Sequence, residues 1–174
     1  MNTQTDLEQT IRQHGEELLR LAYTYVKNRQ TAEDLVQDVF LKAFVKQTDF
    51  RGDSHYKTYL YRMVMNRCKD YLRSWHYRKT ILMEPFQGAS SGRPSRELSE
   101  DNAILGNQVL ALPIKYREVL VFYYYKELSM REIAELLNVS ENTVKTRMQR
   151  GRKQLKLNLE RGGYDARFFY QNEY

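Results

Sequence analysis

The sequence has very little of what disulfide-linked, secreted or membrane-spanning proteins are made of. It contains a single cysteine, Cys68, in 174 residues, so no disulfide can form within the chain, and this usage fits a reducing cytosol. No stretch of about 18 consecutive apolar residues occurs, which argues against a membrane-spanning helix. The opening segment, residues 1–10, is polar and acidic, unlike a secretory signal peptide. From these absences we expect a cytoplasmic protein.

Catalytic and metal-binding signatures are missing as well. The sequence has no phosphate-binding loop, GxGxxG, nucleophile elbow or HExxH motif, so no enzyme class is indicated. The lone cysteine and three dispersed histidines lack the spacing of zinc ligands. No segment of any length alternates apolar and polar residues as a half-buried strand does. We therefore predict an all-α protein that is not an enzyme and has no cofactor or metal.

What the sequence does have is an excess of positive charge, unevenly distributed. It has 28 lysines and arginines against 22 acidic residues, which gives a net charge of +6 and a pI of about 9.3. Acidic residues gather in 6–17 and 33–38, whereas basic residues gather in 62–79 and 145–161. Because basic surfaces attract polyanions such as nucleic acids, we expect separate faces for partners of opposite charge.

Apolar residues at helical spacing predict three helices in the first half of the chain. We expect them over residues 6–27, 31–47 and about 54–79, with a loop at 48–54. The second helix should begin with Thr31 as its N-cap and with Glu33 and Asp34 in its first turn, where the helix dipole favours acids. Its predicted inward face consists of Leu35, Val36, Val39, Phe40, Ala43 and Phe44.

A change of composition divides the chain into two small helical domains. Residues 84–101 are rich in proline, glycine and serine, which is typical of a flexible linker. We therefore predict a first domain over 1–83, a second over 102–162 and an aromatic tail over 163–174. The second domain includes a short apolar helix in the segment YREVLVFYYYKEL, although its residues 121–125 alone resemble a strand.

The segment Met130–Lys156 predicts a helix-turn-helix. Asn138 tolerates the left-handed backbone that the turn requires, and Ser140 is a good N-cap for a helix that begins at Glu141. The first helix has an apolar face made of Ile133, Ala134, Leu136 and Leu137. The second should bury Val144, Met148, Leu155 and Leu159 and expose Lys145, Arg147, Arg150, Arg152, Lys153 and Lys156. A helix supported on one face and cationic on the other suits the major groove of DNA.

Two blocks of the sequence together resemble the extracytoplasmic-function (ECF) group of bacterial sigma factors. AEDLVQDVFLKAF (32–44) and SHYKTYLYRMVMNRCKDYLR (54–73) are similar to sigma region 2. LPIKYREVLVFYYYKELSMREIAELLNVSENTVKTRMQRGRKQL (112–155) is similar to sigma region 4. The resemblance covers most of 15–160, and both blocks in this order are far more specific than either alone.

Three residues depart from the family pattern. Tyr59 stands where the family usually has tryptophan, which keeps an aromatic ring but changes its shape. Asn138 replaces the commoner turn glycine and can adopt the same geometry. Gly151 replaces a usual alanine inside the last helix, which should cost about 1 kcal/mol of helix stability.

The resemblance implies a bridge between core RNA polymerase and promoter DNA. Region 2 of the family docks on a coiled coil of the polymerase β′ subunit, and region 4 contacts the β flap. The region 2 residues that match are Asp34, Gln37, Asp38, Phe40 and Leu41, on an acidic and partly apolar face that suits a protein partner. Family members are commonly held inactive by an anti-sigma factor, so such a partner is also expected.

The resemblance assigns recognition and melting of the −10 element to the loop before the basic helix and to the helix itself. The matching residues are Phe50, Ser54, Lys57, Tyr59, Arg62, Asn66 and Arg67. Aromatic rings stack on unpaired bases, an asparagine amide can hydrogen-bond a base edge, and cations hold phosphates. Asn66, which matches the asparagine of the family motif, is the leading candidate.

The same resemblance assigns the −35 element to the helix from Glu141. The candidate residues are Ser140, Glu141, Asn142, Thr143, Lys145, Thr146, Arg147, Arg150, Arg152 and Lys153. The residues of the first turns, from Asn142 to Thr146, are expected to face base edges, whereas Arg150, Arg152 and Lys153 are expected to contact phosphates. Arg147 fits either role. Two other interpretations stay open: a LuxR-like regulator that shares only the C-terminal block, and a helical adaptor that docks through the acidic helix.

Overall fold

All regular structure is helical in the parts of the chain that the computed structural model describes, residues 3–45, 53–74 and 100–164. This confirms the predicted all-α fold of two small helical domains. The chain divides into two compact units, Met1–Arg93 and Pro94–Tyr174. The predicted tail beyond Tyr164 and most of the predicted loop at 48–54 and linker at 84–101 lie outside the described residues. No described helix has the length and apolar character needed to cross a membrane.

The described part of the first unit consists of three helices around an aliphatic core. Its helices are α1 (Thr3–Val26), α2 (Arg29–Val45) and α3 (Asp53–Arg73), and each packs against the other two. The core is formed by Leu18, Leu21, Ala22, Leu35, Val39, Leu60, Val64 and Cys68, all buried. Complete burial of each larger aliphatic side chain contributes about 1.5–3 kcal/mol. Burial also raises the pKa of the Cys68 thiol to about 12, as expected of a core residue.

Two helix ends in the first unit differ from the prediction. The prediction of Thr31 as N-cap is wrong: α2 begins at Arg29, and the Asn28 side-chain oxygen accepts the Thr31 N–H at 2.9 Å. Asparagine caps at least as well as threonine, so the earlier of two candidates starts the helix, and Glu33 lies beyond its first turn. At the other end, α3 ends at Arg73, where Ser74 turns back to the Tyr71 carbonyl through its N–H (3.0 Å) and hydroxyl (2.7 Å). The remainder of the predicted helix, residues 75–79, lies outside the described residues.

Between residues 100 and 164, the described part of the second unit, there are four helices: α4 (Glu100–Ala111), α5 (Ile114–Tyr124), α6 (Met130–Leu137) and α7 (Glu141–Arg161). Helix α7 packs against the other three, so its position depends on all of them. The strand-like segment 121–125 is helical as far as Tyr124, and Val119, Leu120, Val121 and Phe122 of the same helix are buried. Burial on nearly every side explains why this run lacks the periodicity of an amphipathic helix.

Candidate nucleic-acid interface

A capping box starts the first helix of the predicted helix-turn-helix. The Ser129 hydroxyl accepts the Glu132 N–H at 3.2 Å, and the Glu132 carboxylate accepts the Ser129 N–H at 2.8 Å. The Ser129 hydroxyl also donates to the Glu132 carboxylate at 2.7 Å, and this bond, together with the one from the Ser129 N–H, lowers the pKa of Glu132 because both favour the ionised carboxylate. This capping box was not predicted, although a serine followed three residues later by glutamate is its usual signature.

The turn has the conformation that the sequence predicts. Asn138 lies in the left-handed region with φ 54° and ψ 52°. The Ser140 side chain accepts the Thr143 N–H at 3.1 Å, and Glu141 occupies the first turn of α7. The N-cap prediction for Ser140 is therefore confirmed. The Ser140 hydroxyl also lies 2.9 Å from the Thr143 hydroxyl, so both of its contacts are within the first turn, and the local role of Ser140 is to start and orient the helix.

The inner face of α7 is closely packed. Val144, Met148, Leu155 and Leu159 are buried as predicted, and so is Gly151. A Cβ atom at Gly151 would lie 3.3 Å from both Leu120 Cδ1 and Tyr116 Cβ. The glycine therefore lets α7 approach α5 closely, which accounts for its place in the helix interior despite its low helix propensity.

The outer face of α7 borders a shallow groove that the sequence only partly indicated. The groove has a volume of about 360 Å³ and is lined by Lys115, Tyr116, Asn142, Thr143, Thr146, Arg147 and Arg150. Lys115 and Tyr116 come from the start of α5, and the Lys115 ammonium lies 5.1 Å from the centre of the Tyr116 ring. Lys115 was missed because only its position in the fold places it beside α7. The groove combines amide, hydroxyl and cationic groups, the set that contacts DNA bases and phosphates.

The cations of α7 do not all share that groove. Lys145, Arg150 and Lys153 are exposed. Arg147, in contrast, is mostly covered and its Nη1 lies 3.3 Å from Oε1 of the buried Glu118. Arg152 packs its guanidinium 5.6 Å from the centre of the Tyr124 ring, and its Nε atom is buried. Only some of these charges can therefore approach a phosphate without rearrangement.

The candidates for single-strand recognition lie along α3. Phe50 is outside the described residues, and Ser54 is in the first turn of the helix. Arg62 and Asn66 are exposed one helical turn apart, so they share a face. Tyr59 is half-buried, and its ring stacks against that of Tyr56 at 6.3 Å between centres. An exposed amide beside a cation is compatible with base and phosphate contacts.

A polar cluster anchors the beginning of α3 to α1. The Lys57 ammonium lies 3.2 Å from the Glu17 carboxylate and 5.6 Å from the centre of the Tyr61 ring. The Tyr61 hydroxyl donates to the same carboxylate. Burial and the neighbouring Glu17 both raise the pKa of Tyr61. Tyr61 is therefore a core residue, and Lys57 is held by an acid in this structure.

The outer face of α2 contains most of the acidic candidates. Asp34 and Gln37 are exposed, and 61% of Leu41 is accessible to solvent. Phe40, in contrast to its predicted place on the docking face, is only 6% exposed and belongs to the helical core. Val45, one turn beyond Leu41 and 79% exposed, extends this face and was missed.

One ion pair joins two candidate sites. Arg67 of α3 donates to the same oxygen of Asp38 of α2 through Nε at 3.0 Å and Nη2 at 2.7 Å. The resemblance assigned Asp38 to polymerase docking and Arg67 to DNA. In the structure each therefore already has a partner of opposite charge.

Comparison with known proteins gives matches to both units. The family models described as Sigma-70 region 2 and Sigma-70 region 4 match residues 10–77 and 103–155. The ECF RNA polymerase sigma factor SigW of Bacillus subtilis is 31% identical over 160 residues, covering 84% of each chain. The RNA polymerase sigma factor SigV of the same organism is 29% identical over 149 residues, covering 86% of this chain and 88% of SigV.

Solved structures show the same fold. The sigma factor RpoE from Bartonella quintana, in complex with the anti-sigma factor NepR, gives a TM-score of 0.74 at 24% identity, covering 89% of this chain and 97% of RpoE. CnrH, in complex with the cytosolic domain of CnrY, gives a TM-score of 0.64 at 24% identity, covering 90% of this chain and 89% of CnrH. A regulator that shared only the C-terminal block would not match region 2 over residues 10–77.

Proposed function

The chain belongs to the ECF RNA polymerase sigma factors, which direct promoter-specific transcription initiation, and we propose that its two units divide recognition of the promoter between them. The proposed domains are 1–83 for region 2 and 102–162 for region 4, with 84–101 as the linker and 163–174 as the tail. As a specificity factor in the cytoplasm, the protein would supply recognition while the polymerase supplies catalysis.

The outer face of α7 is the observation that carries the proposal for the −35 element. Asn142 and Thr146 lie in the groove, within the first turns of a helix whose start is fixed by Ser140. Short polar side chains at this position can hydrogen-bond base edges in the major groove. The exposed Arg150 and Lys153, farther along the helix, suit the flanking phosphates, and Lys115 adds a cation from α5.

The exposed part of α3 is proposed to hold the −10 element. Asn66 offers both a donor and an acceptor to an unpaired base, and Arg62, one turn earlier, offers a charge to the adjacent phosphate. Tyr59 has a partly accessible ring that can stack on a base, as the family tryptophan would. Lys57 contributes only when it leaves Glu17, since the two are paired at 3.2 Å.

Polymerase docking is proposed for the exposed stripe of α2. Asp34, Gln37 and Leu41 share one side of the helix and, with Val45, form a surface that changes from acidic to apolar. Such a surface suits the β′ coiled coil, and region 4 is proposed to contact the β flap. An anti-sigma factor is the proposed inhibitor, because the structural relatives RpoE and CnrH were solved with partners, in the case of RpoE an anti-sigma factor.

Reconstitution with core RNA polymerase and a randomised promoter library tests this division. We expect Asn66→Ala to change base preference only at −10 and Asn142→Ala to change it only at −35. Asn107→Ala, an exposed asparagine of α4 outside both surfaces, serves as the matched control and should alter neither. Each lost base contact should reduce discrimination by about 1–3 kcal/mol. The proposal fails if free protein binds duplex promoters specifically but adds nothing to core polymerase, or if each variant disturbs both elements equally.

A further inference from the structure

A buried acid lies behind the DNA-facing surface of α7. Glu118 of α5 is 5% exposed, and its Oε1 is 3.3 Å from Nη1 of Arg147, which lines the groove. Neither the family resemblance nor the charge pattern assigns a role to Glu118. Glu118 itself does not line the groove, and its contact with Arg147 connects its carboxylate to that surface.

Stability alone is a poor reason for this arrangement. A buried ion pair loses much of its attraction to the cost of removing both charges from water, and a well-packed apolar pair is often at least as stable. What a buried pair does provide is a fixed position for each charged group. Only Nη1 of Arg147 is engaged by Glu118, and a guanidinium has five N–H donors in a rigid plane, so donors are left for a second partner.

We propose that Glu118 is a positioning residue for promoter specificity: it holds the Arg147 guanidinium in the groove so that its remaining donors meet one fixed base pair of the −35 element. This rests on the proposed function of α7. A held guanidinium can satisfy a bidentate base contact with little loss of side-chain freedom, whereas an unrestrained arginine would move to the nearest phosphate. The carboxylate of Glu118 also offsets the positive charge of Arg147, and this limits the contribution of Arg147 to sequence-independent binding of DNA.

Glu118→Gln keeps the size of the side chain but removes its charge. In holoenzyme, we expect discrimination at one −35 position to fall about tenfold, in the range of one lost bidentate base contact, while initiation from the best promoter persists. Binding of the protein to non-specific duplex should strengthen, and its log–log salt slope should steepen by about one. A purely structural role would not change the salt slope. Glu135→Gln, which alters an exposed acid paired with Arg131 at 3.1 Å, is the matched control and should change neither.

A double-mutant cycle connects the effect to Arg147. Once Arg147→Gln is present, Glu118→Gln should cause no further change in the −35 profile. Should Glu118→Gln prevent folding, Arg147→Lys keeps the charge and the pairing but loses the planar fork, and discrimination at the same position should fall. The proposal is overturned if Glu118→Gln leaves both the profile and the salt slope unchanged, if it acts equally without Arg147, or if Arg147→Lys keeps full discrimination. Absence of any −35 preference in the unmodified holoenzyme would instead refute the proposed function.

Discussion

Gly151 provides a sharp test of how closely α7 is packed. An alanine there gains about 1 kcal/mol in intrinsic helix propensity. Its Cβ, however, would lie 3.3 Å from Leu120 Cδ1 and from Tyr116 Cβ. Carbon atoms are most favourable at about 3.5–4.0 Å, so both contacts are a few tenths of an ångström too short. The Leu120 methyl can rotate away, but the Tyr116 Cβ is fixed to the backbone of α5 and can move only with the helix.

We therefore expect the propensity gain and the steric cost at Gly151→Ala to cancel within about 0.5 kcal/mol. Gly106 is the matched control, because it is also helical and a Cβ there would meet nothing within 4 Å. Gly106→Ala should thus stabilise the second unit by about 0.5–1 kcal/mol. Compared with alanine, valine at position 151 adds two further methyl groups where α7 crosses α5. Gly151→Val should therefore destabilise the second unit by about 2 kcal/mol.

The measurement is the free energy of opening of the second unit, obtained from hydrogen exchange of the buried amides of α5 and α7 in the full chain. This observable is specific to the second unit, so unfolding of the first unit does not mask it. If Gly151→Ala stabilises the second unit as much as Gly106→Ala does, there is free space between α5 and α7, and close packing does not explain why position 151 is a glycine. A Gly151→Val variant as stable as the parent would lead to the same conclusion.

Three further predictions concern caps and ion pairs. Asn138→Ala should lower the melting temperature through a loss of about 1 kcal/mol, since alanine disfavours the left-handed region, whereas Asn138→Gly should be nearly neutral. Because the pKa of Glu132 is lowered in the folded state, the stability that its capping bonds contribute is complete above pH 4.5, the ordinary pKa of the group, and is lost as the pH falls further. In Ser129→Ala, titration of the Glu132 carboxyl by NMR should show its pKa moving back up towards 4.5. A double-mutant cycle at Asp38 and Arg67, measured by chemical denaturation, should give a coupling energy of only about 0.5–1 kcal/mol, because both side chains are over a third exposed. A larger coupling energy would mean that the pair is more buried than the structure shows.

Local features of the fold could be predicted from sequence because their causes lie within a few residues. The left-handed Asn138, the Ser140 cap and the inward positions of α7 depend on neighbours at most four residues away, and all three predictions are confirmed. The failures were also local in origin. Asn28 rather than Thr31 caps α2 because two good capping residues stand close together, and α3 has a turn at Ser74 because that residue hydrogen-bonds back to Tyr71.

The details of the candidate site depend on tertiary contacts, which a single sequence does not reveal. Glu118 and Arg147 are 29 positions apart, so periodicity could not indicate that a buried acid holds a predicted DNA contact. Gly151 could be described only as a loss of helix propensity until its neighbours on α5 were known. Phe40 belonged to both the predicted core and the predicted docking face, and only its burial decides between them.

The Asp38–Arg67 pair changes how variants of the first unit should be interpreted. A substitution at Asp38 removes a candidate polymerase contact and also releases the Arg67 guanidinium, to which it is bonded at 2.7 and 3.0 Å. A released cation strengthens sequence-independent binding to DNA, so loss of docking and gain of DNA affinity would occur together. A single variant therefore cannot assign either residue to one partner. Only the change that Asp38→Asn produces when Arg67 is already neutral isolates the contribution of Asp38 to polymerase docking.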